Sequence, residues 1–257
     1  MASAPAQFRT AFTRLQALVW PPVCAACGKP ITPETGELCM RCAGALAAQV
    51  GESYCLGCGE GRPWELLVDN RCGHCRNEGS KFKAFVRVGP YAGPIRSLVL
   101  QFKHRKTLDR LLGGWMADAY ARWNIQPAVD IWAGVPSPFL RRMQRGFQPT
   151  QLLAREIARR TGRPYKQLLA MARYVAPFHH GMLPTQRRDA IHDAFRAVAP
   201  EEIEGRVIGL IDDVSTTGAT LDEARRTLRK ARAKGVVAVV IAKRESVTRS
   251  ATPVQPG

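Results

Sequence analysis

The sequence predicts an α/β protein in which a parallel sheet with flanking helices follows a small cysteine-rich module. Three observations predict it. The apolar runs 207–211 and 236–242 lack a helical period, stretches with helical spacing lie between and before them, and all eight cysteines fall between positions 24 and 75. Strands covered on both faces read as continuous apolar runs, and such strands are joined by helices.

From the start of the chain, Ala4 to Trp20 places Phe8, Phe12, Leu15 and Val19 on one helical face, so residues 1–21 are expected to form an amphipathic helix. The stretch lacks the continuous apolar segment and cleavage site of a secretory signal. A mitochondrial presequence fits its composition, and a helix packing its apolar face on the rest of the chain fits its pattern; the second is favoured. Residues 22–80 hold the cysteines as four Cys-x-x-Cys pairs: Cys24/Cys27, Cys39/Cys42, Cys55/Cys58 and Cys72/Cys75. Two such knuckles supply the four sulfurs of a tetrahedral structural zinc site, so two zinc ions are expected. Consecutive and interleaved pairing of the knuckles both satisfy the chemistry. A disulfide framework is the rival reading, disfavoured without a secretory signal.

Residues 81–244 form the larger domain. Phe82 to Val88 alternates as a strand; Ile95, Leu98, Val99 and Phe102 mark a helix ending in Lys103; Leu108 to Trp123 continues helically. Asp130 to Val135 reads as a short strand before Pro136-Ser-Pro138, an arginine cluster and a helix from Pro149 to Arg160. Arginine offers bidentate geometry to phosphate oxygens, so this turn is a candidate anion site. Gly162 to Pro177 reads as irregular, and Phe178 to Arg188 as a polar, basic flap in which His179 and His180 are candidate proton donors. Residues 245–257 are expected to be a disordered tail.

The most informative stretch is Arg206-Val-Ile-Gly-Leu-Ile-Asp-Asp-Val-Ser-Thr-Thr-Gly-Ala-Thr220. Asp212 and Asp213 end a buried strand. Leu221, Ala224 and Leu228 then mark a helix, leaving Ser215, Thr216, Thr217, Gly218, Ala219 and Thr220 as the turn at its N-terminus. Backbone N–H groups there are unpaired and carry the positive end of the helix dipole. Hydroxyls and a glycine that admits close backbone approach complete an anion cradle. Carboxylates repel phosphate but accept hydrogen bonds from vicinal sugar hydroxyls, directly or through a divalent cation. Acids for a diol beside a loop for phosphate describe a ribose 5-phosphate site. An ordinary strand–helix cap is the plainer reading, and the combination outweighs it. Neither a Walker loop nor a GxGxxG fingerprint occurs.

A hydrophobic strand, two acids, three variable residues and Thr-Gly, here Val207 to Gly218, resemble the signature of the phosphoribosyltransferase superfamily. That resemblance implies binding of 5-phosphoribosyl 1-diphosphate (PRPP) with Mg²⁺, with Asp212 and Asp213 as the catalytic acids at the ribose and Ser215 to Thr220 at the 5-phosphate. Lys103, Arg141, Arg142 and Arg145 are then candidates for the pyrophosphate. Over nearly the whole chain the order of features is similar to the competence protein F (ComF) family: the double Cys₄ ribbon, Tyr91-x-Gly-x-Ile-Arg, Val135-Pro-x₄-Arg-x₃-Arg-Gly-Phe147 and Ile211-Asp-Asp-Val-x-Thr-Thr-Gly-Ala-Thr220. It departs from the family pattern at Gln148-Pro149, His179 and Ala190. Membership implies a type I phosphoribosyltransferase fold behind a zinc module, and a part in DNA uptake during natural transformation.

The formal charge of +17, from 38 basic and 21 acidic residues, exceeds what solubility requires and points to an anionic partner. Besides PRPP, single-stranded DNA and DNA-uptake proteins are the expected partners, with Phe82, Phe85, Phe102 and Phe147 as candidate base-stacking groups in a purely DNA-binding alternative. No apolar run approaches the roughly 20 residues of a membrane span, so a soluble, cytoplasmic protein is expected.

Overall fold

The computed structural model describes residues 22–32, 36–176 and 182–245. The expected N-terminal helix, His179, His180 and the tail beyond Glu245 lie outside the described residues.

The cysteine module is built twice on one plan. In the first copy the Cys24 N–H donates to the Lys29 carbonyl (2.8 Å) and the Gly28 N–H to the Cys24 carbonyl (2.9 Å), closing a knuckle between the bridged residues Val23 and Pro30. Cys39 then starts helix α1, Met40–Val50. In the second copy the Cys55 N–H donates to the Glu60 carbonyl (2.9 Å) and the Gly59 N–H to the Cys55 carbonyl (2.7 Å). Cys72 starts the short helix α2, Gly73–Asn77. The second half of each copy is helical.

The larger domain runs β1 (Ala84–Pro90), α3 (Gly93–Phe102), α4 (Asp109–Ala121), β2 (Ile131–Gly134), α5 (Phe139–Arg145), α6 (Pro149–Thr161), β3 (Leu169–Met171), α7 (Pro184–Ile191), β4 (Phe195–Ala197), α8 (Pro200–Ile203), β5 (Val207–Ser215), α9 (Ala219–Lys230) and β6 (Gly235–Lys243). The main sheet has the order β1-β6-β5-β2, and every neighbour in it is parallel. Side chains alternate across the sheet with a period of two. Val237, Val239 and Ile241 of β6 join the core under α3, α4 and α6. Val236, Ala238 and Val240 join the core on the opposite face with Leu221, Ala224 and Leu228 of α9. All of these are buried, so the mixed α/β fold with a helix-covered parallel sheet is as the sequence predicts.

Three segments differ from expectation. The stretch read as irregular contains β3, which pairs antiparallel with β4 to form a separate two-stranded sheet. The basic flap resumes as helix α7 from Pro184. The arginine cluster after β2 is helix α5 rather than a turn, ended by Gly146 in the left-handed region (φ 70°).

The ribbons are packed onto this domain. Cys24, Ala26, Leu38, Cys42 and Leu46 bury into the same apolar cluster as Ile95, Val99 and Leu112. The second copy meets β1 edge-on: the Phe85 N–H donates to the Leu56 carbonyl (2.7 Å). Gly59, at φ 76°, is pressed so closely on Phe85 that an added Cβ would sit 2.4 Å from its ring.

Candidate anion site at the carboxyl edge of the sheet

A parallel sheet exposes the carboxyl ends of its strands along one edge, and ligands of open α/β sheets bind there. All four strands contribute near their carboxyl ends to one cleft of about 330 Å³: Tyr91 after β1, Val135 to Pro138 after β2, Asp212 and Asp213 within β5, which runs on to Ser215 rather than ending at the acids, and Arg244 after β6. Lys103, Arg141, Arg145 and Arg187 bring cations to its walls. Its apolar side is formed by Met171 and Phe195 from the small sheet, with Val175 and Ile191.

The two acids occupy distinct settings on adjacent residues. Asp212 accepts the Asp213 N–H (2.9 Å), and Asp213 accepts the Val214 N–H (2.8 Å). Burial, and then the charge of Asp213, hold the Asp212 carboxyl well above the usual carboxylate range. Asp213 faces the Lys103 ammonium at 3.7 Å. Burial lowers the pKa of Arg145 and the Asp213 carboxylate opposes that shift; a guanidinium stays charged in any case. The cleft therefore holds carboxylates at its floor and fixed cations at its rim.

The predicted loop follows, except that its first residue, Ser215, is still in β5, paired with Lys243 of β6. Gly218, at φ 76°, caps α9, a conformation that glycine adopts without the Cβ penalty. Thr216 and Thr220 line the cleft. Thr216 is held from two sides, its hydroxyl by Arg187 (3.3 Å) and its carbonyl by the Lys243 ammonium (3.0 Å). Ser215 is buried, its Oγ lacking a hydrogen-bond partner among the described residues. Ser215, Thr217, Gly218 and Ala219 lie on the other side of the loop, lining a second cleft against the second ribbon.

Of the predicted cations, Lys103, Arg141 and Arg145 reach the cleft. Arg142 does not line it; its guanidinium stands 5.2 Å over the exposed Phe139 ring. Arg187 and Arg244 were not among the predicted site residues. Arg244 follows a buried strand immediately, and the strand-end rule applied to β6 as to β5 would have found it. The proposed base-stacking groups Phe82, Phe85 and Phe102 are buried and Phe147 half-buried against Phe102, so burial accounts for these aromatics.

The cysteines gather into two sets, Cys24, Cys27, Cys39 and Cys42, and Cys55, Cys58, Cys72 and Cys75, with the sulfurs of each set within 4.8 Å of one another. Pairing of the knuckles is thus consecutive. Cys27 Sγ and Cys39 Sγ stand 3.8 Å apart, against the about 3.8 Å edge of a tetrahedron with Zn–S near 2.3 Å and far from a disulfide bond of about 2.05 Å. In the second set the Cys55 thiol is drawn down to about 4, first by its bond with Cys58 and then, despite burial, by the N–H groups of Cys72 (3.2 Å) and Gly57 (3.3 Å). Burial raises the Cys24 thiol, but N–H donors led by that of Cys39 outweigh it and bring it to about 6. Burial instead pushes the Cys42 thiol up to about 12 and the Cys75 thiol up to about 11, so the sulfurs of each set differ in their tendency to form the thiolate that binds metal. The residues fit structural zinc.

Residues 15–78 match the family described as "Double zinc ribbon domain". Over 197 residues the chain is 29% identical to Competence protein F of Haemophilus influenzae, covering 74% of this chain and 84% of that protein. It is 26% identical over 217 residues to the DNA utilization protein YhgH of Escherichia coli K12, covering 82% of this chain and 92% of the relative. Among solved structures it is similar to the glutamine PRPP amidotransferase from B. subtilis, at 24% identity and a TM-score of 0.35 over 51% of this chain and 25% of that one. The parallel sheet, the acid pair in β5 and the two Cys₄ sets stand beside this similarity: the chain is similar to competence protein F, and it carries a double zinc ribbon ahead of an α/β domain built on a parallel sheet.

Proposed function

We propose that the cleft at the carboxyl edge binds PRPP, or another ribose 5-phosphate group, together with Mg²⁺, and that the protein acts in DNA uptake, a reading supported by the competence and DNA utilization that the names of its relatives state for them. The observation that carries the ligand reading is the convergence of Asp212, Asp213, Thr216 and Thr220 with five basic side chains on one cleft. The acids suit the ribose diol, the hydroxyl-lined turn at the N-terminus of α9 suits the 5-phosphate, and Lys103, Arg141 and Arg145 suit the pyrophosphate. Mg²⁺ would neutralise the acid pair and the diphosphate together. In a transferase reaction the bond from the ribose C1 to pyrophosphate breaks as a bond from a nitrogenous acceptor to C1 forms. The cations at the rim would stabilise the charge that gathers on the leaving group.

Calorimetry with PRPP and Mg²⁺ tests the site. Wild-type protein is expected to bind, and the paired substitution Asp212→Asn with Asp213→Asn to lose that binding; unchanged affinity would refute the assignment. Pyrophosphate release across a screen of nucleobases and oligonucleotides then separates a transferase from a binding protein. The net charge of +17 also supports single-stranded DNA as a partner. That reading requires affinity to fall log-linearly with salt, with a slope near ~0.7 per phosphate contacted.

A further inference from the structure

The loop proposed to take the 5-phosphate is braced by the second zinc ribbon, through a short chain of contacts. Lys243 ends β6, and its side chain is only 6% exposed. A buried ammonium needs an acceptor for each of its three protons. Lys243 Nζ has three oxygens in reach: the Glu60 carboxylate (2.6 Å), the Thr216 carbonyl (3.0 Å) and the Arg244 carbonyl (3.4 Å). The first belongs to the ribbon and the second to the loop, so one buried charge ties the two together.

Glu60 is itself part of the metal-binding knuckle. Its carbonyl accepts the Cys55 N–H (2.9 Å), the Gly59 N–H closes the same turn on the Cys55 carbonyl (2.7 Å), and the Gly57 N–H points at Cys55 Sγ (3.3 Å). The Phe85 N–H anchors this turn to β1 through the Leu56 carbonyl (2.7 Å). On the far side of the loop, Lys81, just beyond the ribbon, pairs with Asp222 in the first turn of α9. Losing the metal from Cys55, Cys58, Cys72 and Cys75 would free the knuckle that aims Glu60. Without Glu60 the ammonium is left buried and uncompensated, and its relief is to move to water, letting go of Thr216.

We infer that Glu60 and Lys243 are positioning residues that transmit the state of the second zinc ribbon to the Ser215–Thr220 loop, so that affinity for a ribose 5-phosphate group depends on that ribbon keeping its metal. The part concerning ligand affinity rests on the proposed function; the part concerning loop order does not. Hydrogen exchange on the full chain reads the second directly. In Glu60→Ala, amides of residues 215–220 are expected to exchange about tenfold faster or more, while those of α4 and α6 are unchanged and both zinc ions remain. Glu60→Gln, which keeps an acceptor, should restore most of the protection. Lys243→Met, remote from the cysteines, should loosen the same loop, and it decides the matter if Glu60→Ala disturbs the metal. Unchanged loop exchange in Lys243→Met overturns the inference. Calorimetry with PRPP and Mg²⁺ should show affinity falling about tenfold in Glu60→Ala and in Lys243→Met. A wild-type protein that fails to bind would sink the ligand reading and leave the exchange result to decide the brace, whereas loosened loops with unaltered affinity would overturn the link to binding.

Discussion

Replacing Asp212 with asparagine should make the protein more stable while weakening its proposed ligand site. In the folded chain Asp212 accepts the Asp213 N–H at 2.9 Å, a bond that an asparagine Oδ1 preserves. What the substitution removes is a charge held unfavourably. Burial and the neighbouring Asp213 raise the Asp212 carboxyl, and Lys103, just after α3, only partly offsets them. A carboxyl whose pKa is higher in the folded than in the unfolded state contributes stability that is fully present below the unfolded value of about 3.9 and lost as pH rises through the folded value. Above the unfolded value the wild-type side chain is therefore a liability that grows by about 1.4 kcal/mol for each pH unit until the folded value is passed. In a chain of this size each kcal/mol moves Tm by about 2–4 °C. Thermal melts of wild type and Asp212→Asn from pH 3.5 to pH 8 should give a variant with the higher Tm at pH 8 and a difference that closes on acidification. Removing a charge-assisted hydrogen bond to a diol, about 1.5–3 kcal/mol, should weaken PRPP binding about 10- to 100-fold. A variant no more stable than wild type at pH 8, or one whose advantage grows as pH falls, would refute the electrostatic account of this acid pair.

Two further outcomes follow from the structure. Elemental analysis should find about two zinc ions per chain on the four-sulfur rule, and a strong chelator should lower Tm; a metal-free, disulfide-linked product would contradict the ribbons. Glu156 on α6 accepts from Arg159 Nε (2.9 Å) and Nη2 (2.7 Å) and from Arg160 Nε (2.8 Å), and these bonds, Arg159 first, hold its carboxyl down to about 2. Its contribution is present above the unfolded value and is lost as pH falls toward 2, so Glu156→Gln should cost about 1–2 kcal/mol at pH 7, discounted for the exposure of Arg159, with the deficit vanishing in acid melts.

The parts of the fold legible in the sequence are those set by local pattern. The run Val207 to Ile211 is buried on both faces and so carries no period, and the change to helical spacing at Leu221 marks the turn in between. The cysteine knuckles are equally local, since two sulfurs three positions apart need only a tight turn. Which knuckles share an ion is not local, because it depends on how the hairpins fold back. Strands β3 and β4 span three residues each, too short for a period to emerge, and they exist because they pair with each other over the cleft. The arginine cluster shows what a missed element costs. Read as a turn, all three arginines qualify for the site. Read as helix α5, Arg141 and Arg145 are four apart on one face and Arg142 is turned away, which is how they stand.

The burial of the first ribbon's Cys24, Cys42 and Leu46 among side chains of α3 and α4 gives the metal a reach beyond its own module. Two of the sulfurs that grip an ion also serve as wall material for the largest apolar interior of the molecule. Melting should accordingly be a single event in which sheet, helices and ribbon give way together. Excising the ribbon would not shorten the protein by a removable appendage but would open its interior to water.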